Sequence, residues 1–406
     1  MKPQTGAPAA ASAGLWSATW WICFPIAMID GYDTLLMSFL APVISKEMGI
    51  APGLFRGIFT ATYAGAACGA VFLGTVADRF GRKPLLLLSL ALAGAFTAAA
   101  AWAHTLNELM WCRAVAGLGL GGAIPIISAL AARGIPHELR RAAVTRVFIG
   151  YPVGAILGGL MTAWLMPAIG WRGLMLGTGA LALGLMALTQ WTLQDSKPGS
   201  DGQTIVSHRD LLAGLFSQQH ALVTLTLGAT AFLILGVSYF LVSWIPTVLT
   251  LKGSSSREAA AIAVLLNVGG LVGAWSLSRV GRGAPARAIG LSLCGGAVLI
   301  GVFGMALRGS QLTAAVMVFC MGILVIGAQT NIPALAAWLY PLRSSASGVG
   351  LAMACGRIGS IAGPFIGGYL LARHMSWESL FLVAAVPALL AGLALLMLSG
   401  ADTQYR

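Results

Sequence analysis

Charge is what this sequence has least of. Its 406 residues include only 12 acidic and 24 basic side chains, 9% of positions, where a soluble domain carries roughly a quarter. With 58% of positions apolar, there is too little polar surface to wrap a packed globule in water. That excludes a soluble enzyme, and it turns the net charge of +12 from a sign of nucleic acid into a sign of membrane orientation. Long polar stretches are missing as well: the longest, Gln194 to His220, is too short to bury a core of its own. The cysteines, Cys23, Cys68, Cys112, Cys294, Cys320 and Cys355, lie singly in apolar runs. With no C-x-x-C pair among them, neither a disulfide framework nor a zinc site is expected. Period-two alternation is absent too, which disfavours a strand-built barrel.

What the chain does have is long apolar runs. At about 20 residues per membrane-crossing helix, they divide into twelve spans, near 15–41, 55–77, 84–103, 109–132, 143–165, 172–193, 221–250, 259–278, 288–307, 312–339, 346–372 and 377–399. If the N-terminus is cytoplasmic, fourteen basic residues fall on that side against seven opposite, with Arg113, Arg146 and Arg357 left inside spans. Both termini are therefore expected in the cytoplasm. Most tryptophans, Trp102, Trp111, Trp164 and Trp191 among them, stand near span ends, where an amphipathic ring favours the membrane interface.

A repeat runs through the chain. Gly154-x-x-x-Gly158-Gly159 followed by Trp171-x-x-Leu174 returns as Gly363-x-x-x-Gly367-Gly368 followed by Trp377-x-x-Leu380. Glycines four apart leave a groove into which another helix can settle, and recurrence after half the chain implies duplication. The expected architecture is an all-α membrane protein of twelve helices in two pseudo-symmetric halves, 1–193 and 221–406, joined by a linker at 194–220.

Ionisable groups inside spans are costly and usually functional. Asp30 and Asp33, in Asp30-Gly31-Tyr32-Asp33, lie three apart on one face of the first span. Two carboxylates at that depth require water, a partner or a proton, which suits proton coupling. Arg113 offers a partner for Asp30 or Asp33, or for an anionic substrate; snorkelling to the interface is the alternative. Arg357, deeper in its span, has the planar fork that grips a carboxylate. Gln329 and Asn331 interrupt span ten and can bond a ligand or a neighbouring helix. Tyr239 and Trp244 could pack an aromatic ring. No metal and no cofactor are expected. The start of a zinc motif, His137-Glu138, meets Arg141 where the second histidine would stand.

The loop after span two reads Gly74-Thr75-Val76-Ala77-Asp78-Arg79-Phe80-Gly81-Arg82-Lys83. This is similar to the G-x-x-x-D-R-x-G-R-[KR] motif of the major facilitator superfamily. Asp30-Gly31-Tyr32-Asp33, with Gly356-Arg357-Ile358-Gly359 leading to Gly363-Pro364, resembles the aromatic acid:H+ symporters within it. The resemblance implies proton-coupled symport of a small organic anion, such as a hydroxybenzoate, benzoate or phenylpropionate, by alternating access. It implies a functional monomer in a bacterial inner membrane that binds no nucleic acid. It assigns proton coupling to Asp30 and Asp33, gating to Gly74, Asp78, Arg79, Gly81 and Arg82, and anion contact to Arg113 and Arg357. A proton-coupled exporter of the same superfamily is the alternative, although the exporters' glycine-proline motif belongs in span five, where this chain has Tyr151-Pro152-Val153-Gly154. In the second half the loop motif keeps Arg279, Gly281 and Arg282 but places Ser278 where the acid would be.

Overall fold

A computed structural model describes residues 18–133, 135, 137–193, 221–281, 283–307, 309–340 and 345–401, with backbone alone for Ala18, Asp78, His137, Glu138, Arg141, 345–347 and 400–401. The proposed linker at 194–220, together with Arg282, Arg308 and Arg343, lies outside the described residues.

Every regular element among the described residues is helical. The first helix, α1, runs Ala18–Met48, longer than its apolar core suggests: it continues through Pro25 and Pro42 and stops at Gly49, whose φ of 63° suits a glycine stop. A short turn, Pro52–Phe55, leads to α2, Arg56–Phe80; α3 is Arg82–Ala99 and α4 is Leu106–Ala131. Helical stretches His137–Phe148 and Gly150–Thr192 then follow almost without pause. The apolar part, Ala142–Thr192, has 51 residues, about 77 Å of helix against a hydrocarbon core of about 30 Å. It is two spans, divided at Gly170, where φ is 66° and ψ 178°, a conformation that glycine adopts without a Cβ clash. We label 137–169 α5 and 171–192 α6. Then come α7 Ala221–Leu251, α8 Ser256–Val280, α9 Pro285–Ala306, α10 Gln311–Leu339, α11 Ser345–Ala372 and α12 Trp377–Ala401. Among the described residues, eleven helices are long and apolar enough to cross a membrane, and the division at Gly170 makes twelve spans.

The helices gather into two compact units. One takes the described residues up to Leu36 and from Ala61 through α6; the other takes Met37–Thr60 together with α7 to α12. Each has its own core, with Ile26, Leu90 and Ile127 in the first and Leu227, Ile234, Leu293 and Leu395 in the second. Large apolar side chains such as Phe72, Leu181, Val298, Val386 and Met397 point outward, as lipid-facing surfaces require.

The recurring glycines do the same work in both units. In the first, a Cβ on Gly154 would collide with the Met28 carbonyl and one on Gly158 with the Tyr32 ring. In the second, a Cβ on Gly363 would strike the Gly236 carbonyl and one on Gly367 the Phe240 ring. So α5 seats against α1 as α11 seats against α7, and the match sets Tyr32 beside Phe240, Asp30 beside Ser238 and Asp33 beside Leu241 as equivalent positions. Helix α10 departs from regularity at Gly322–Ile326, one π-helical turn. Such turns widen the ladder and leave a carbonyl to other donors; here Ser292 Oγ donates to Leu324 O at 2.8 Å.

Candidate functional site

Three helices of the first unit bring polar groups to one point. Asp33 of α1 is 2% exposed and Arg113 of α4 is wholly enclosed. The guanidinium grips the carboxylate as a fork, Nη1 donating to Oδ1 at 3.1 Å and Nη2 to Oδ2 at 2.8 Å. Nη2 also donates to the Asp33 backbone carbonyl at 3.1 Å. Thr97 of α3 closes the arrangement: its hydroxyl donates to Asp33 Oδ1 at 2.8 Å and accepts from Arg113 Nη1 at 3.1 Å. Four of the five guanidinium N–H groups are thereby used. The fifth, on Nε, is buried without a hydrogen-bond partner.

The local folding that makes this possible is cheap. Helix α4 starts at a proper cap, Thr105 Oγ1 accepting from Glu108 N at 3.2 Å, so Arg113 falls two turns inside rather than at the mouth. Snorkelling, one of the readings open from the sequence, therefore does not apply: the side chain is enclosed, and Asp33 is its partner. On α1, Asp30 is also buried, at 5% exposure. Between the two acids Gly31 lies so close to the Tyr151 carbonyl that no Cβ would fit, which fixes the rotation of α1 and hence the direction of both carboxyls. The hydroxyl of Tyr32 reaches Thr162 Oγ1 at 3.1 Å.

The remaining candidate residues fall at separate places. In the second unit Arg357 is half-buried on α11, and among the described residues its guanidinium has no hydrogen-bond or ion-pair partner. Trp244 is fully enclosed, its Nε1 donating to Pro364 O at 3.1 Å and its ring meeting Phe59 edge-on at 5.4 Å. Asn331 Nδ2 donates to Gly327 O at 2.9 Å and to Ala274 O at 3.3 Å, tying α10 to α8. Tyr239 and Gln329 are half-buried. A cavity of about 380 Å³ lies between α7, α11 and α12, lined by Phe232, Phe240, Gly363, Ile366 and Val383 among other apolar residues. It offers no donor to a carboxylate.

In the first unit Gly81, with φ 99°, turns the chain from α2 into α3, and Arg82 opens α3. Gly74 packs against the Pro125 ring of α4, where a Cβ would come to 2.9 Å. Arg79 is exposed, and the Asp78 side chain lies outside the described residues. Thr97 is the site residue that sequence reasoning passes over. A threonine in a membrane helix ordinarily bonds its own helix's carbonyls, so its presence in α3 carries no signal until the fold brings α1 and α4 to it.

Twelve apolar helices, a duplicated six-helix plan and a buried ion pair define a multi-pass membrane transporter rather than an enzyme. The chain belongs to the major facilitator superfamily, whose family model matches residues 23–359. It is 33% identical to the gallate transporter of Pseudomonas putida, over 92% of this chain and 90% of that one. It is 32% identical to the 4-hydroxybenzoate transporter PcaK of Acinetobacter baylyi, over 93% and 90%. With the 3-(3-hydroxy-phenyl)propionate transporter of Escherichia coli the identity is 29%, over 97% and 96%. Among solved structures, a D-xylose-proton symporter superposes with a TM-score of 0.73 at 14% identity, covering 93% of this chain and 96% of that one. At that identity the likeness speaks for the fold.

Proposed function

We propose that this transporter takes up an aromatic carboxylate, of the hydroxybenzoate, benzoate or phenylpropionate type, together with a proton. The observation that carries the reading is the enclosed Asp33–Arg113 pair. A fully buried ion pair is held by mutual attraction against a desolvation cost of several kcal/mol per ion, so neutralising either member unbalances the site. A proton arriving at the acids of α1, Asp30 and Asp33, cancels the counter-charge of Arg113, whose Nη2 side is then open to an anion. Arg357 supplies the second positive charge, and the first contact for an incoming carboxylate. Gln329 and Tyr239 have side-chain surface left to meet a ligand; Trp244 and Asn331 hold helices together in the conformation described above. A monoanion entering with one proton moves no net charge, whereas a second proton would add about 2.3 kcal/mol of drive per 100 mV.

The choice of aromatic acids is supported by the Asp30-Gly31-Tyr32-Asp33 and Gly356-Arg357-Ile358-Gly359 motifs and by relatives named for gallate, 4-hydroxybenzoate and a hydroxyphenylpropionate. The excess of basic loops on one side supports a bacterial inner-membrane protein with both termini cytoplasmic, working as a monomer through two halves, 1–193 and 221–406. The segment Gly74–Arg82, which is not the expected loop but the end of α2 and the turn at Gly81 into α3, then lies on the cytoplasmic face as a gate. Export is the weaker reading, since a lipophilic cation would meet Arg113 and Arg357 unfavourably.

Purified protein in liposomes tests this directly. Aromatic and aliphatic acids are offered with the pH gradient imposed in each direction, and uptake of aromatic acids driven by an acidic exterior is expected. Aromatic-acid uptake indifferent to pH, or uptake confined to aliphatic acids, would sink the proposal.

A further inference from the structure

Building on the proposed coupling site, we infer that Thr97 is its positioning residue, a hydroxyl rotor that keeps Arg113 in place through both protonation states of Asp33. The three groups form a closed ring: Thr97 Oγ1 to Asp33 Oδ1 at 2.8 Å, Thr97 Oγ1 to Arg113 Nη1 at 3.1 Å, and Arg113 Nη1 to Asp33 Oδ1 at 3.1 Å. All three side chains are enclosed, Thr97 at 1% exposure, so no bulk water substitutes for a lost bond.

A carboxylate and a carboxylic acid make opposite demands on a neighbour. Ionised, Asp33 accepts, and the Thr97 hydroxyl donates to it as observed. Protonated, Asp33 becomes a donor, and a neighbour able only to donate would be left facing it proton to proton. A hydroxyl meets both demands by rotating about its Cβ–Oγ bond, because it has one proton and two lone pairs. While one lone pair receives the Asp33 proton, the other still receives Arg113 Nη1. The guanidinium thus keeps a partner at the moment its counter-charge is cancelled, which avoids the full penalty of a bare buried cation. No bond is made or broken beyond the proton that Asp33 takes up and later releases.

Among the described residues, the charged and titratable groups placed against Asp33 are Asp30 and Tyr32 on α1 itself and Arg113 on α4. The hydroxyls brought to it or to Tyr32 are Thr97 of α3, Thr162 of α5 and Thr178 of α6. None of those hydroxyls other than Thr97 touches both members of the ion pair.

The test compares Thr97→Val, which keeps shape and removes both hydrogen-bonding functions, with Thr97→Ser, which keeps both. Two assays are run on reconstituted protein with 4-hydroxybenzoate: uptake driven by an imposed pH gradient, and counterflow at equal pH on both sides, which needs binding and reorientation but no net proton movement. Thr97→Val is expected to lose at least tenfold in gradient-driven uptake while counterflow stays within threefold, and Thr97→Ser to match the parent in both. The pH profile of Thr97→Val uptake should be displaced, and that of Thr97→Ser should not. Unchanged gradient-driven uptake in Thr97→Val overturns the inference, as does parallel loss of counterflow, which would make the residue structural. A parent protein that fails to take up any aromatic acid would instead overturn the substrate reading, so the two failures are told apart.

Discussion

The two units share a plan and differ in where they keep charge. In the first, α1 and α4 hold an acid and a base locked together out of reach of solvent. In the second, the corresponding helices α7 and α10 carry no Asp, Glu, Lys, Arg or His along Ala221–Leu251 and Gln311–Leu339. The position matching Asp33 is Leu241, fully buried, and that matching Asp30 is Ser238, with its Oγ buried and without a hydrogen-bond partner. The second unit has its intramembrane arginine elsewhere, on α11. The same glycine seats hold both bundles together, so packing was retained on either side of the duplication while ionisable chemistry was not. An ion pair is therefore not needed to build this six-helix plan. Among the described residues the enclosed pair lies in the first unit, which points to work rather than to stability, in keeping with buried ion pairs being poor contributors to folding.

The sharpest way to break that comparison is to make the first unit resemble the second. Arg113→Leu leaves Asp33 buried without its base and should destabilise the protein by about 3–5 kcal/mol, read as a lowered unfolding temperature in detergent and lost uptake. Asp33→Leu combined with Arg113→Leu should recover most of that stability and none of the uptake. A double variant that still accumulates substrate with the pH gradient would show that the pair is structural after all.

A smaller effect is expected at the second unit's own arginine. Arg357→Lys keeps the charge and loses the planar fork. If it meets the substrate carboxylate, KM should rise about tenfold, equivalent to about 1.4 kcal/mol, with maximal rate nearly preserved. An equal fall in rate with KM unchanged would place Arg357 in the conformational step instead. The smallest effect is expected at Ser238: Ser238→Ala should change uptake by less than twofold and stability by less than about 0.5 kcal/mol, whereas Asp30→Asn at the equivalent position should abolish gradient-driven uptake. Comparable losses from both would mean that the asymmetry between the units is only apparent.

Much of this was legible in the amino-acid sequence, and the reasons it was are physical. Twelve apolar runs declare themselves because backbone groups in lipid have few ways to be satisfied, and Asp30, Asp33 and Arg113 stand out because charge at such depth is rare. Partner choice is another matter. Arg113 had two acids within reach on one helix face, and only the rotation of α1, set by Gly31 against the Tyr151 carbonyl, selects Asp33. Trp244 and Asn331 look like ligand contacts when read along the chain, yet each spends its polar end on a backbone carbonyl, at Pro364 and at Gly327 and Ala274. Such donors are called for by proximity between helices, which composition does not record. The join between α5 and α6 was legible from span length, between 165 and 172, but its form was not: a single glycine, Gly170, in an unusual conformation does what a polar loop does elsewhere.

The guanidinium of Arg113, with four of its five protons engaged, has one further use. In water such a group spins about its Cζ–N bonds, and the protons of each terminal nitrogen merge into averaged, rapidly exchanging signals. Clamped on both terminal nitrogens and shielded from solvent, Arg113 should give separate, long-lived nitrogen-15 and proton resonances. Cancelling the charge on Asp33 would loosen the Nη2 side and blur its signals, while those of Nη1, still held by Thr97, stay resolved. The transporter thus carries a built-in magnetic reporter of its own protonation, readable without substrate or label beyond isotopic arginine.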